Sequence, residues 1–202
     1  WKVQSKDGLV SHYGTPRPED AGDDWEDRAV VADPASPRKI FAWRLTRTED
    51  TFGNVIVYHY QRDRNQQPAD DDIPEHHWDQ LYLKEIEYED YGDEEEDGAR
   101  GNTEKAERFL VSATFEYEER ASDPFSVYRS GFEIRTRRRC RQITVKTHPT
   151  RAELARHYDM EEDEELPDHI LVRTYTLEYE SSPTNGVSLL NQIVVKGYDG
   201  DE

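Results

Sequence analysis

Asp123-Pro124-Phe125-Ser126-Val127-Tyr128-Arg129-Ser130-Gly131-Phe132-Glu133-Ile134-Arg135-Thr136 is the stretch that sets the fold class of this chain. It holds a proline turn, a glycine, and then a segment whose residues alternate in character. From Phe132 the even positions read Phe132, Ile134, Thr136 and then Cys140. The odd positions read Glu133, Arg135, Arg137, Arg139 and Arg141. A period of two is that of an extended strand with one face buried. The stretch contains no nucleophile with its base, no metal-ligand spacing and no phosphate loop. It is expected to hold a sheet together.

Strands and hairpins extend outward from it in both directions. Residues 1–5 and 9–13 flank Lys6-Asp7-Gly8, and Asp-Gly is a strong hairpin signal. Residues 40–47 and 55–61 bracket a turn at Thr51-Phe52-Gly53-Asn54, where Gly53 and Asn54 can supply positive φ. Phe41, Trp43 and Leu45 are expected to share a face. Further strands are expected at 82–88, 109–118, 171–179 and 187–196, with Phe109, Val111, Ala113, Phe115 and Tyr117 on one side of the second of these four. Ile143 and Val145 fall on the opposite parity to Phe132, which predicts a bulge or bend near 138–142. Residues 151–158 form the one helix pattern. Polar or acidic loops are expected at 15–37, 62–79, 89–105 and 151–169, the last leading from that helix into an acidic run. The expected fold is all-β, mostly antiparallel, with hairpins and long acidic loops, and residues 1–202 read as one β-rich segment.

Composition bounds the function. The 202 residues carry a formal charge of −19, with 34% hydrophobic and 35% charged residues. That balance approaches the disordered class, but twelve Tyr, six Phe and four Trp argue for a packed structure. The acid excess disfavours nucleic acid or an anionic membrane as partner. It suits a high-salt habitat and equally a high-GC genome with acidic loops. No stretch approaches 18 apolar residues, so no direct membrane insertion is expected, and no secretory signal is present. The chain begins at Trp1 and still reads as strand and turn at 197–202, as a segment of a longer protein would. The lone Cys140 excludes an internal disulfide and is expected to be a buried small hydrophobe.

The charged motifs have bland readings that outweigh the catalytic ones. The arginine stripe could grip phosphates, but Glu116, Glu118, Glu178 and Glu180 also lie opposite the apolar faces of their strands. Cross-strand pairing with Arg135, Arg137 and Arg139 is therefore expected, each pair giving roughly 0.2–1 kcal/mol. Glu-Tyr-Glu recurs at 87–89, 116–118 and 178–180, always at a strand end, as outward glutamates around an inward tyrosine. Glu75-His76-His77-x-Asp79 lacks helical i, i+4 spacing, and Asp70-Asp71-Asp72 lacks the ligands of a calcium loop. No catalytic residue, metal ligand or cofactor is assigned.

The run D-P-F-S-x-Y-R-x-G-F-E-I-R-T-x-R-x-C at 123–140 resembles the SpvB/TcdB family, the B components of insecticidal toxin complexes and related virulence proteins. Other family-like pieces stand in order: Trp1-x-Val3, Lys6-Asp7-Gly8, Tyr13-Gly14, Asp50-x-x-Gly53-Asn54-x-Ile56-x-Tyr58-x-Tyr60, Tyr82-Leu83-x-x-Ile86-x-Tyr88, Leu177-x-Tyr179, Ser188-Leu189-Leu190 and Gly197-Tyr198. The resemblance marks Asp123, Pro124, Phe125, Tyr128, Arg129, Gly131, Phe132, Arg135, Cys140, Gly53 and Asn54 as structural motif residues.

The resemblance implies a secreted toxin whose β-sheet shell, continuous with RHS/YD-type repeats, encloses a C-terminal effector. Its implied partners are the rest of the parent chain, the effector component and a pore-forming translocation subunit. An ADP-ribosyltransferase, where family members carry one, would be a separate domain. The alternative is an independent extracellular module that binds a carbohydrate or a surface protein through Trp25, Trp43 and Trp78. Buried tryptophans would favour the shell.

Overall fold

The computed structural model describes residues 1–22, 25–65, 77–90, 109–159 and 167–198. The hairpin of β1 (Lys2–Gln4) and β2 (Val10–Tyr13) forms around Lys6-Asp7-Gly8 as its sequence predicts. Next come β3 (Val30–Asp33) and β4 (Ser36–Trp43), which make a small sheet of their own. The main sheet resumes with β5 (Leu45–Glu49), β6 (Val55–Arg64), β7 (Trp78–Asp90) and β8 (Phe109–Glu119). Two short strands, β9 (Phe125–Val127) and β10 (Glu133–Thr136), lead into β11 (Arg138–Thr147). Helix α1 (Arg151–Tyr158) precedes the closing hairpin of β12 (Ile170–Ser181) and β13 (Ser188–Gly197).

The main sheet has eleven strands, nine of them in the order β1-β2-β5-β6-β7-β8-β11-β12-β13. Every neighbouring pair on that path is antiparallel. β10 joins from the side, parallel to β7, and β9 pairs with β10. The fold is thus all-β and antiparallel, as the alternation indicates. Where β8 meets β11 the register shifts between Cys140 and Gln142, leaving Arg141 as the extra residue at the bulge that the change of parity predicts.

Five expectations change. The loop expected over 15–37 contains β3, and Ala29-Val30-Val31-Ala32 is the most deeply buried run among the described residues. Those four residues pack over β7, yet so short an apolar run between Asp, Arg and Pro carries no period to read. The strand expected over 40–47 breaks at Arg44, whose N–H donates to Ala29 O and whose carbonyl accepts from Gly14 N. The chain passes there from the small sheet to the large one. Phe41 and Trp43 consequently face solvent, because β3 supplies the buried face of that hairpin. Trp43 meets Trp1 edge to face, with ring centroids 5.6 Å apart.

The loop expected over 62–79 shrinks from both ends, since β6 runs to Arg64 and β7 starts at Trp78. Arg62, Asp63, Arg64 and Asp79 are strand residues that pair with one another or with Arg137. The insertion expected from residue 89 likewise starts later, because β7 continues to Asp90. Asp70-Asp71-Asp72, Glu75, His76 and the acidic runs from 91 and from 160 lie outside the described residues. The single strand read from Phe132 to Arg141 is two strands, parted at Arg137.

Helix α1 forms where its local signals place it. Thr150 caps it in a reciprocal box with Glu153, and Asp159 closes it in the left-handed region at φ 52°. Its Leu154 and Ala155 pack with Tyr158 and Ile170. Among the described residues no helix is long and apolar enough to cross a membrane.

Candidate functional site

One edge of β7 is shared by two strands, and the join is where the signature segment does its work. β8 pairs with β7 from Glu85 to Asp90, whereas β10 pairs with it at Trp78 and Asp79. Residues 80–84 fall between the two ladders, and side chains replace the missing backbone bonds. Gln80 Nε2 donates to Thr136 Oγ1 at 2.8 Å, and Tyr117 OH donates to Leu83 O at 2.7 Å. Tyr82 Oη accepts from both Arg137 N and Arg138 N at 3.1 Å, at the kink between β10 and β11. Buried backbone donors need such partners. Burial raises the hydroxyl pKa of both Tyr82 and Tyr117, so each stays protonated. Tyr82→Phe leaves two N–H groups without that acceptor and is expected to cost about 1–3 kcal/mol in urea unfolding.

Beyond the kink the arginine stripe is an ion-pair ladder. Arg139 Nε lies 2.6 Å from Glu118 Oε1, and Arg141 Nη2 lies 2.7 Å from Glu116 Oε2. Both carboxylates belong to the set that alternation singles out. Arg137 departs from it: its fork donates to both oxygens of Asp63 at 2.9 Å, and its guanidinium lies 5.3 Å above the Trp78 ring centroid. Glu133, read as an outward residue, is buried and accepts from Ser126 Oγ at 2.5 Å. β9 pairs antiparallel with β10 and brings Ser126 to Glu133.

A second charge cluster was not legible as a site. Asp79 is fully buried, with Arg62 Nη1 at 2.6 Å from its Oδ2 and Arg64 Nε at 3.6 Å from its Oδ1. Arg62 also donates to Asp27 O and Val30 O, and Ala32 N reaches Asp79 Oδ2 at 3.4 Å. These bonds clamp the β3–β4 hairpin onto the main sheet. Asp79 is therefore committed to arginine, as a structural group would be.

The signature residues divide among several places. Asp123 is a junction: it takes Arg120 Nη2 at 2.6 Å, Ser188 N at 2.7 Å and Ser188 Oγ at 2.8 Å. Arg139 Nη1 also donates to Ser188 Oγ at 2.5 Å, so the stretch anchors the first residue of β13. Pro124, Phe125, Tyr128 and Arg129 are exposed, with Arg120 lying 5.3 Å over the Phe125 ring centroid. Gly131, at φ 82°, closes the turn back to Tyr128 O and leads into half-buried Phe132. Arg135 is half-buried on β10 opposite Ser126. Cys140 is half-buried, and desolvation raises its thiol pKa, which keeps it protonated. Gly53 and Asn54 sit apart in the β5–β6 turn, where Asp50 accepts from Phe52 N, Asn54 N and Asn54 Nδ2.

Bonds from Ser188 N, then Ser188 Oγ and Arg120, hold the Asp123 carboxyl below its ordinary value. A carboxylate depressed in the folded state contributes stability above its unfolded pKa, and loses it as pH falls through the folded value. Asp123→Asn is therefore expected to cost about 1 kcal/mol at pH 7 and progressively less below pH 4. Urea melts of both proteins at the two pH values check this.

The edges of the sheets differ sharply. β1 is three residues long and carries Lys2. β4 holds Pro37, Arg38 and Lys39 and two register shifts against β3. β9 is again three residues long and follows Pro124. Short length, proline, cations and bulges are the devices that keep edges from pairing with foreign strands. β13 is less protected: it is long and holds no proline, and it carries a single cation and a single bulge, at Asn191, where its register against β12 shifts. Ten residues long, with Lys196 as its one charge, it pairs only with β12 among the described residues. Leu190, Ile193 and Val195 along it are each about half exposed, at 50%, 51% and 54%.

The tryptophans expected to form a sugar platform do not stand free together. Trp78 is buried, Trp43 is partly covered by Trp1, and Trp25 is half-buried.

Residues 1–148 match the family model described as Salmonella virulence plasmid 65kDa B protein. Among solved structures, the N-terminal domain of effector protein SpvB from Salmonella typhimurium strain LT2 is similar, with a TM-score of 0.68 and 21% identity. That match covers 98% of this chain and 61% of the other. The TcdB2-TccC3 crystal structure matches with a TM-score of 0.62 and 22% identity, over 96% of this chain and 10% of that one. A Photorhabdus luminescens Tc holotoxin pore matches with a TM-score of 0.58 and 24% identity, over 90% and 9%. The chain thus spans only part of the length of each. No curated protein matches it.

Proposed function

The chain belongs to the SpvB family, and on that premise we propose that it is a non-catalytic structural module of a Tc/SpvB-type toxin. Its sheet forms part of the wall of a β-sheet shell that encloses a C-terminal effector and helps deliver it. Residues 1–202 act as one unit of a longer secreted chain. Its partners are the remainder of that chain, an RHS-like effector component and a pore-forming subunit, with no nucleic acid and no direct membrane insertion.

The observation that carries this reading is the contrast between the short or proline-bearing edges β1, β4 and β9 and the long β13, which exposes Leu190, Ile193 and Val195. An apolar edge strand left bare is a template for aggregation, so a strand built this way needs a neighbour. A shell wall provides one. The locked crossover and the arginine ladder support the same reading, since both spend charged and polar groups on holding strands together. Glu116 and Glu118, the outer members of one Glu-Tyr-Glu triplet, are held by Arg141 and Arg139, which leaves them poorly placed for chemistry. Glu87, from another triplet, lies 2.6 Å from His59 Nε2.

The reading frame beyond Glu202 tests the proposal. A long series of Tyr-Asp and Gly-Asn repeats ending in an unrelated domain is expected. A stop codon shortly after Glu202 contradicts it, and the independent binding module then becomes the better account.

A further inference from the structure

We infer that His148 and His169 form an acid-sensitive latch at the neck of the excursion that carries α1. β11 and β12 are in register at Thr147 and Ile170, the last pair of their ladder. His148 and His169 are therefore the next opposed positions, where the two strands part around residues 149–168. Their ring centroids are 5.9 Å apart. The His148 side is fixed to the sheet: its N–H donates to Leu110 O at 2.7 Å, and its Nε2 lies 2.8 Å from Ser112 Oγ, itself buried on β8. The His169 side leads directly into Ile170, which packs with α1 through Leu154, Ala155 and Tyr158.

The two rings stack at a tilt where the strands part. A positive charge on His169 is disfavoured first by its burial and then by Lys146 on β11 and by His148, and Asp168 opposes them; like charges on neighbouring antiparallel strands repel. On α1, Glu153 is engaged by Thr150 N and Oγ1, and the His157 ring lies against Tyr158. Burial is the largest influence on His169 and also holds its pKa below the ordinary histidine value. The opened state takes up the proton more readily than the closed one. Stability of the neck is accordingly full above the ordinary histidine range and is lost as pH falls through it. The consequence is release of α1 from the sheet while the sheet itself stays intact.

Hydrogen exchange of residues 151–158, corrected for the intrinsic pH dependence of exchange, tests the latch between pH 7.5 and 5.5. Protection of α1 is expected to fall roughly fivefold in acid relative to β6 and β7, the size that an opposed like-charge pair gives. In His169→Gln the acid loss is expected to disappear. An equal acid loss in His169→Gln, or no loss in the unsubstituted protein, overturns the inference. Proton NMR titration of the two rings in the unsubstituted protein provides a reading independent of any variant. His169 is expected to protonate below the ordinary histidine value. An unshifted His169 titration overturns the inference.

Discussion

Arg62→Ala is expected to destabilise the protein by about 3–5 kcal/mol, the largest effect of any single substitution proposed for this sheet. The cost comes from what the substitution leaves behind. Asp79 is fully buried, and Arg62 Nη1 at 2.6 Å is its close partner. Arg64 Nε remains at 3.6 Å, too far to replace a charge-assisted hydrogen bond, and Arg64 also serves Glu26 at 3.1 Å. The same truncation strips Asp27 O and Val30 O of their donor, so the β3–β4 hairpin loses its main tether. Urea unfolding at pH 7 measures the loss. The double variant Arg62→Met with Asp79→Leu is expected to recover much of it, because removing both charges removes the uncompensated one. A double variant as unstable as Arg62→Ala would show that the backbone contacts of Arg62 matter more than its ion pair.

Arg137→Ala is expected to cost about 3 kcal/mol, at the lower end of the range for breaking a buried pair. Asp63 is buried and receives both N–H groups of the Arg137 fork at 2.9 Å. The cost is moderated because Arg138 Nε stands 3.6 Å from the same carboxylate and the Arg137 side chain is itself 36% exposed. Arg137→Lys is expected to restore less than half, since an ammonium cannot make the two parallel bonds or lie flat over Trp78. A full rescue by lysine in the same unfolding assay would mean that charge alone matters at this position.

Much of this architecture is legible in the sequence, for identifiable reasons. Strands such as β8 and β12 alternate over most of their length, and Asn185-Gly186 marks the turn between β12 and β13. The bulge at Arg141 is visible as a change of parity. The pairing of Arg139 with Glu118 follows from strand faces alone, whereas Arg141 meets Glu116 from the bulge and Arg137 turns to Asp63. What escapes is non-local. β3 is four small apolar residues whose burial depends on a distant strand, β7. Arg62, Asp63, Arg64 and Asp79 look like loop residues because polarity is read as exposure, whereas here opposite charges are buried together. The break at Arg137 is also invisible locally. The alternation continues through it, and only the competition of β8 and β10 for one edge of β7 forces the kink. Trp78 was read as a loop residue for the same reason as its neighbours, and its burial counts for the wall and against the sugar platform.

The central claim is that β13 has a neighbour in the parent protein. Hydrogen exchange of residues 188–197, compared between the full-length protein and the 202-residue chain, tests it most directly. In the isolated chain, β13 has one paired side and exposed apolar residues, and its outward amides are expected to exchange within seconds to minutes. In the full-length protein they are expected to be protected to the level of β6 and β7, by a factor of roughly a hundred or more. Equal, fast exchange in both would contradict the account, because it would leave β13 a bare edge and this sheet a body that ends where its described strands end.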